Sequence, residues 1–404
     1  MAKARRYRIL HCEFCEDGTT GGSHQALVDI VRLVDRQRFE PIVVFYQHNR
    51  FIAPLRELGI TVHAWDRERR LEREPHEQRR PLGKVASVIG GLRRRLRLLR
   101  DARIDLVHLN NSPSVGFDDW LPMARWLGIP CVTTVMGSPY EFPTAPLRRA
   151  LTRRFDRLVA ISDPVLESLR LGGYPEAMLT KVNLGVDLEA FTGRVRVPAE
   201  RMRESLGIPA DRLLVVMVGN LREWKGHSVV VSALEQMRPD TRRRLHVAFV
   251  GHARPDDQEH VQGLVARLAQ AGATREVSFL GERTDVPDVL NAADVALHAS
   301  STFPEPFGLV LVEALALGKP LIASRRGGPI EIVSKDAGIL FDPKDPRELV
   351  EAFERLLEHP ELRKSMGAAA RLRAQQFTAR RMADGMQHLW EELLAGRTPA
   401  STDG

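Results

Sequence analysis

Glu305 and Glu313 stand with seven residues between them in a stretch that reads Pro-Glu-Pro-Phe-Gly-Leu-Val-Leu-Val-Glu-Ala-Leu-Ala-Leu-Gly-Lys-Pro, residues 304–320. Pro306 suits a first helical turn, Ala314 to Leu317 favour helix, and Gly318 with Pro320 beyond it ends one, so the sequence predicts a helix starting at Phe307, Gly308 and Leu309. The unpaired N–H groups of its first turn and the positive end of its dipole would face a negatively charged leaving group such as a phosphate. Glu313 is then a lone carboxylate among aliphatic side chains, which is costly unless something specific, such as a pair of ligand hydroxyls, bonds to it. Eight helical steps rise about 12 Å, so two such glutamates would hold opposite ends of an extended ligand with the length of a nucleotide sugar. The competing reading is an amphipathic helix with one solvent-facing Glu, which the near-continuous apolar flanks disfavour.

A second basic and glycine-rich loop, Val-Gly-Asn-Leu-Arg-Glu-Trp-Lys-Gly-His at 218–227, follows an apolar run and precedes a helical one, the setting in which a loop meets phosphates. Lys225 is its candidate diphosphate contact, with Arg222 as a second charge. Near the N-terminus Gly-Thr-Thr-Gly-Gly-Ser, residues 18–23, lies between a strand and a helix predicted over 24–34, and Gly21 and Gly22 would let backbone approach a ligand closely. His108 ends a strand in His-Leu-Asn-Asn; a strand-end histidine is more often structural than functional. Cys12 and Cys15 make a C-x-x-C with only His11 nearby as a further ligand, so strand-end thiols are a simpler reading than a metal or redox site.

Positioning these groups requires a regular scaffold, and the pattern supplies two. Short apolar runs separated by helical segments predict parallel sheets built from βαβ units. One series comprises Tyr7 to Cys12, Pro41 to Tyr46, Ile60 to Trp65, Asp105 to Leu109, Cys131 to Val135, Arg157 to Ile161 and Lys181 to Asn183. The other comprises Leu213 to Val218, Leu245 to Val250, Val277 to Leu280, Val295 to Ala299, Leu321 to Ala323 and Gly338 to Phe341. Each reads as a Rossmann-like lobe, with an irregular linker expected over 186–212 and a ligand cleft beyond the carboxyl ends of the strands. At 404 residues the chain is long enough for two such cores.

The formal charge of +7 suits an anionic partner: a nucleotide, a nucleic acid or an acidic membrane surface. Five Trp and four Tyr, scattered outside any basic-aromatic repeat, offer little surface for stacking bases, which argues against nucleic acid. Three cysteines build no disulfide framework, and no run reaches the roughly 18 apolar residues of a membrane span, so a soluble cytoplasmic protein is expected. Between Arg67 and Arg103, Leu92, Leu96 and Leu99 lie at helical spacing among Arg93, Arg94, Arg97 and Arg100. That is either a basic amphipathic helix resting on anionic lipid or a packed helix with a solvated basic face.

The Glu305 to Glu313 segment resembles the signature of family 4 glycosyltransferases, retaining enzymes of the GT-B fold that transfer a sugar from a nucleotide donor. The resemblance extends to Gly219, Lys225 and Gly226, to Gly21 and Gly22, to Asn183-Leu184-Gly185-Val186-Asp187 with Phe191, to Gly251-His252, to Leu280-Gly281-Glu282-Arg283, and to Gly327-Gly328. It implies that Glu305 contacts the donor sugar, that Glu313 holds the ribose hydroxyls, that the backbone of Phe307, Gly308, Leu309 and Val310 lies along sugar and diphosphate, and that Arg283 lies near the base. Two positions depart from the family: Asn220 stands where relatives often carry Arg, and Met136-Gly137 stands where they often have a histidine that helps place the sugar, a loss for which His108 would compensate in part.

These readings imply an acceptor-side lobe over 1–190, a donor-side lobe over 191–376, and a helix near 378–394 crossing back to the first lobe before the tail to residue 404. No Asp-x-Asp metal clamp is present, so Lys225, Arg222 and the helix end at 307 would take the diphosphate charge without a metal or other cofactor. The expected activity is transfer of a hexose-type sugar from a UDP- or GDP-sugar to a carbohydrate, lipid-linked sugar or small-molecule hydroxyl, with a peripheral contact to the inner membrane face as a further expectation. The competing classes are a nucleotide-sugar epimerase of similar architecture, for which no acid/base pair is evident, and a non-catalytic sugar-nucleotide binding protein.

Overall fold

The computed structural model describes residues 6–13, 21–65, 81–111, 120–137 and 146–395. Residues 18–20 of the N-terminal glycine loop, Cys15, the arginines at 67–70 and the tail from 396 lie outside the described residues. The chain divides into two compact units, one formed by 1–184 with 379–404 and the other by 185–378.

The first unit holds strands β1 (Tyr7–Glu13), β2 (Phe39–Phe45), β3 (Thr61–Ala64), β4 (Leu106–Asn110), β5 (Cys131–Val135), β6 (Arg157–Ala160) and β7 (Leu179–Lys181) in the order β3-β2-β1-β4-β5-β6-β7, every pair parallel. The second holds β8 (Leu213–Val218), β9 (Leu245–Val250), β10 (Val277–Phe279), β11 (Val295–His298), β12 (Leu321–Ser324) and β13 (Gly338–Phe341) in the order β10-β9-β8-β11-β12-β13, again all parallel. Strands such as Leu-Leu-Val-Val-Met-Val are apolar on both faces because helices cover both sides of a parallel sheet. In the second unit that cover comes from helices His227–Gln236, Gln258–Gln270 and Pro346–Glu358, whose Val230, Leu264, Leu268 and Phe353 pack into one core with Val215, Phe249 and Leu297. Both sheets reverse strand order between their first and fourth strands, and in doubly wound folds this is where ligands bind.

The helix Ala379–Leu394 belongs to the first unit, where it packs on the helix Gly22–Leu33 and buries Trp390 completely, the indole edge-on to His11 and Phe39. In the second unit the amide of Val186 donates to the carbonyl of Phe377 at 2.9 Å, and Val186 bridges Thr378, so that unit's two chain ends lie side by side. The segment 186–212, expected to be irregular, contains the helices Leu188–Thr192 and Ala199–Ser205. Asp187 starts the first by accepting from the amide of Ala190, a side-chain cap that the Asn-Leu-Gly-Val-Asp sequence hides among loop-forming residues.

Candidate active site

Lys225 lies on the 3-10 turn Glu223–Lys225 just beyond β8, and Gly226 closes that turn at φ 80°. A Cβ on Gly226 would fall 1.8 Å from the carbonyl oxygen of Ala299, so a side chain there would hold the turn off the end of β11. The amide of Ser301 donates to the carbonyl of Trp224 at 2.8 Å, and the Lys225 ammonium sits 4.1 Å from the centre of the Trp224 ring. From the far side, the Gly327-Gly328 pair presses on the segment carrying Glu305. Gly327 bridges Glu305, the Gly328 amide donates to the Glu305 carbonyl at 2.7 Å, and a Cβ on Gly328 would lie 2.3 Å from the Phe307 oxygen. Glu305 is thus held by the Gly327-Gly328 backbone on one side and faces the Lys225 turn on the other, at the point where β8 and β11 are neighbours.

Its carboxylate Oε2 receives the Lys225 Nζ at 2.5 Å, the His298 Nε2 at 3.2 Å and the Ser300 Oγ at 3.3 Å. Ser300 Oγ is also 3.1 Å from His298 Nε2, and Ser324 Oγ is 3.4 Å from His298 Nδ1. Burial by itself would raise the Glu305 pKa. The charge of Lys225, with the hydrogen bonds and charge from His298 and Lys225, reverses that and holds the carboxyl far below the usual range.

The helix begins later than the sequence predicts. It spans Leu309–Ala316, capped by Gly308 in the left-handed region at φ 102°. Phe307 lies outside it, buried against Phe377 with ring centres 5.8 Å apart. Glu305 is therefore in an extended bridge rather than eight helical steps before Glu313, and the spacing inferred from helical rise does not apply. The positive φ of Gly308 turns the chain into the helix; the Leu311 amide already bonds the Gly308 carbonyl at 2.9 Å, so the first-turn N–H groups facing outward are those of Leu309 and Val310. Glu313 sits one turn further, half-buried, with its pKa raised to about 7 by burial against the opposing charge of Arg194.

The other expected contacts are distributed unevenly. Gly219 lies against the Lys225 stem, its Cβ position 3.8 Å from the lysine Cδ, and the Asn220 carbonyl accepts from the Arg222 amide at 2.8 Å. Arg283, expected near a base, is held by both oxygens of Asp285 at 2.8 and 2.5 Å, and this bonding keeps Asp285 below its usual pKa. In the first unit Gly21 caps the helix Gly22–Leu33, and Met136 and Gly137 are half-buried just past β5. His108 is corrected from a sugar-side candidate to a core residue: it is fully buried, its Nδ1 lies 3.1 Å from His11 Nδ1 and its Nε2 lies 2.7 Å from Thr134 Oγ1. Burial lowers its pKa to about 3, so it is neutral.

Several groups escaped the sequence reading. His298 and Ser324 end strands that are otherwise apolar, with Ser300 two residues beyond His298, and a polar residue buried at a strand's carboxyl end must find partners. The same signal marks Glu13 and Asn110, register partners at the ends of β1 and β4. Asn110 Nδ2 donates to Glu13 Oε2 at 2.5 Å and to the Ser23 carbonyl at 3.0 Å. Among the described residues no group of three or more His, Cys, Asp or Glu is gathered to hold a metal ion.

Residues 20–190 match the family described as Glycosyltransferase Family 4, and residues 198–373 match Glycosyl transferases group 1. A D-inositol 3-phosphate glycosyltransferase of Saccharomonospora viridis is 30% identical over 345 residues, covering 80% of this chain and 78% of that protein. Another of the same description, from Thermobispora bispora, is 30% identical over 402 residues, covering 91% of this chain and 90% of its own length. Among solved structures, HepE of Anabaena in complex with UDP and glucose superposes with a TM-score of 0.77 at 22% identity, over 96% of this chain and all of that one. A Rickettsia africae glycosyltransferase superposes with a TM-score of 0.80 at 18% identity, over 97% of this chain and 99% of the other. The two parallel sheets, their strand orders and these matches agree: the chain belongs to glycosyltransferase family 4 and has the GT-B fold.

Proposed function

We propose that this enzyme transfers a sugar from a UDP- or GDP-sugar to a hydroxyl acceptor with retention of anomeric configuration and without a metal ion. The observation that carries the reading is the meeting of Lys225 and Glu305 at the β8–β11 switch point, next to the N-terminus of the helix Leu309–Ala316. Lys225 and the free N–H groups of that helix take the charge that grows on the diphosphate as the glycosidic bond breaks. Glu305 meets the hydroxyls of the donor sugar, and Glu313 accepts from the ribose diol. The acceptor oxygen attacks from the face that the diphosphate leaves, and a diphosphate oxygen takes its proton, so no nucleophile on the protein is required.

UDP is the first base to test, because HepE binds UDP and glucose. Inositol phosphates lead among acceptors, because the relatives are named for one. Melting temperature measured against UDP, GDP and their sugars, followed by transfer assays with and without EDTA, tests the reading. A nucleotide-dependent rise and EDTA-resistant transfer are expected. Absence of any nucleotide stabilisation or transfer overturns the donor assignment, and strict dependence on magnesium or manganese overturns metal independence.

The reading extends to a cytoplasmic enzyme in reversible contact with an anionic membrane. No helix among the described residues is long and apolar enough to cross one. On the helix Pro81–Asp101, Arg93, Arg94, Arg97 and Arg100 are exposed while Arg95 and Leu99 are buried, and Arg100 lies over the exposed Trp126 ring at 5.2 Å. Sedimentation with anionic but not neutral vesicles, reversed by salt, is the supporting result.

A further inference from the structure

We propose that His298 is a positioning residue which, with Ser324 behind it, holds Oε2 of Glu305 and thereby reserves Oε1 for the donor sugar. The proposal rests on the reading of Glu305 as the group that meets that sugar. Its first support is an asymmetry within one carboxylate. Lys225, His298 and Ser300 all converge on Oε2, and no hydrogen bond or ion pair among the described residues ends on Oε1. A carboxylate gripped through one oxygen has a fixed plane and a second oxygen with its lone pairs available.

The second support is the protonation pattern that the neighbours impose. An ionised carboxylate only accepts, so His298 Nε2 must carry the hydrogen that faces Oε2. The Ser324 hydroxyl, 3.4 Å from Nδ1, meets the other side of the ring, since a hydroxyl donates to a bare nitrogen and accepts from an N–H. The Ser300 hydroxyl donates to Oε2 and turns a lone pair toward the Nε2 hydrogen, which accounts for its two distances of 3.3 and 3.1 Å. His298 is 3% exposed and stands on the last position of β11, so the ring has little freedom to leave this arrangement.

The third support is the double duty of Lys225. It is the strongest partner of Glu305, yet it is also the side chain placed for the diphosphate. Once it turns to the diphosphate, the carboxylate needs partners with no competing anion, and His298 and Ser300 are such groups. The ionisable side chains facing Glu305 are Lys225 from the turn after β8 and His298 from β11, so both bear on any pH response of this carboxylate.

The test compares His298→Ala, His298→Gln, Ser324→Ala and Glu305→Gln in the full-length enzyme. Readouts are melting temperature, UDP affinity, kcat with UDP-glucose or whichever donor the nucleotide screen selects, and carboxyl carbon-13 NMR of Glu305, assigned by its loss in Glu305→Gln. His298→Ala is expected to lower kcat by about 10- to 100-fold with UDP affinity within about twofold. It should also shift both the Glu305 titration and the acid limb of the kcat profile to higher pH. His298→Gln, which keeps a donor at the Nε2 position, should recover part of the loss, and Ser324→Ala should lower kcat severalfold in the same direction.

A purely structural histidine would change melting temperature alone. Wild-type kcat and an unmoved Glu305 titration in folded His298→Ala overturn the proposal; if that variant fails to fold, the same result in Ser324→Ala overturns it. A fully active Glu305→Gln instead sinks the parent reading of Glu305, whereas an inactive Glu305→Gln beside an unaffected His298→Ala sinks this proposal alone.

Discussion

Lys225 stands between two anions, the Glu305 carboxylate 2.5 Å away and the diphosphate proposed to bind beside it. Removing the charge of Glu305 while keeping its size therefore has two separable effects. Glu305→Gln is expected to lower turnover by about 10- to 1000-fold, while nucleotide diphosphate affinity holds or tightens because Lys225 no longer has a competing carboxylate. Calorimetry with UDP beside steady-state kinetics checks both, and a fully active variant with only a lowered melting temperature would reduce Glu305 to a structural charge. Glu313 gives a second prediction with a definite sign. Its pKa is raised to about 7, so in the free enzyme it is largely protonated below that pH. A ribose diol donates to the ionised form, so nucleotide affinity should weaken as pH falls below about 7, approaching tenfold per unit. Glu313→Gln should flatten that dependence, and an identical pH profile in the mutant would remove the ribose assignment.

At the scale of elements, stability follows the buried histidines. Burial lowers the pKa of His11 and His108 in the first unit and of His227 and His246 in the second, the last three to about 3, 3 and 4. The unfolded chain binds these protons near pH 6.5 and the folded one does not, so stability is present above that pH and is lost as pH falls below it. Glu313, with its raised pKa, acts the other way but is one group against these four and the half-buried His63, whose pKa burial also lowers. Calorimetry from pH 7 to pH 5 should show a falling melting temperature, and a flat profile would mean the rings are less buried than described.

The same residues show what was legible in the sequence. The strands were, because apolar runs buried on both faces have no other use; β8, β9 and β13 match the predicted spans residue for residue. The role of His108 was not, because its position at a strand end does not reveal that a helix nearly 300 residues later lays Trp390 beside it. The start of the Leu309 helix was displaced for a similar reason. Gly308 takes a positive φ, and Gly328 presses on Phe307, a contact between segments about 20 residues apart that no local propensity encodes. Glu305 and Lys225 stand out as candidates from their loops alone, whereas their mutual contact needed β8 and β11 to be neighbours.

For the molecule as a whole, the decisive feature is that chain ends 185 and 378 of the second unit meet through the Val186 amide and the Phe377 carbonyl. That unit is topologically an insertion, a cassette whose entrance and exit share one doorway, and it carries Lys225, His298, Glu305 and Glu313 together. A fragment spanning 185–378 is expected to melt cooperatively and to bind UDP without the rest of the chain, detectable by calorimetry. The complementary fragment 1–184 should fail unless residues 379–395 are rejoined to it by a short loop, because without them the surface that receives Trp390, Leu389 and Met386 is left open to water. On the proposed placing of the donor in this unit, donor preference would be a portable property. Grafting a relative's cassette at the same doorway should exchange the sugar delivered while keeping the acceptor received, so new glycosides could be made by recombining halves rather than by redesigning either one.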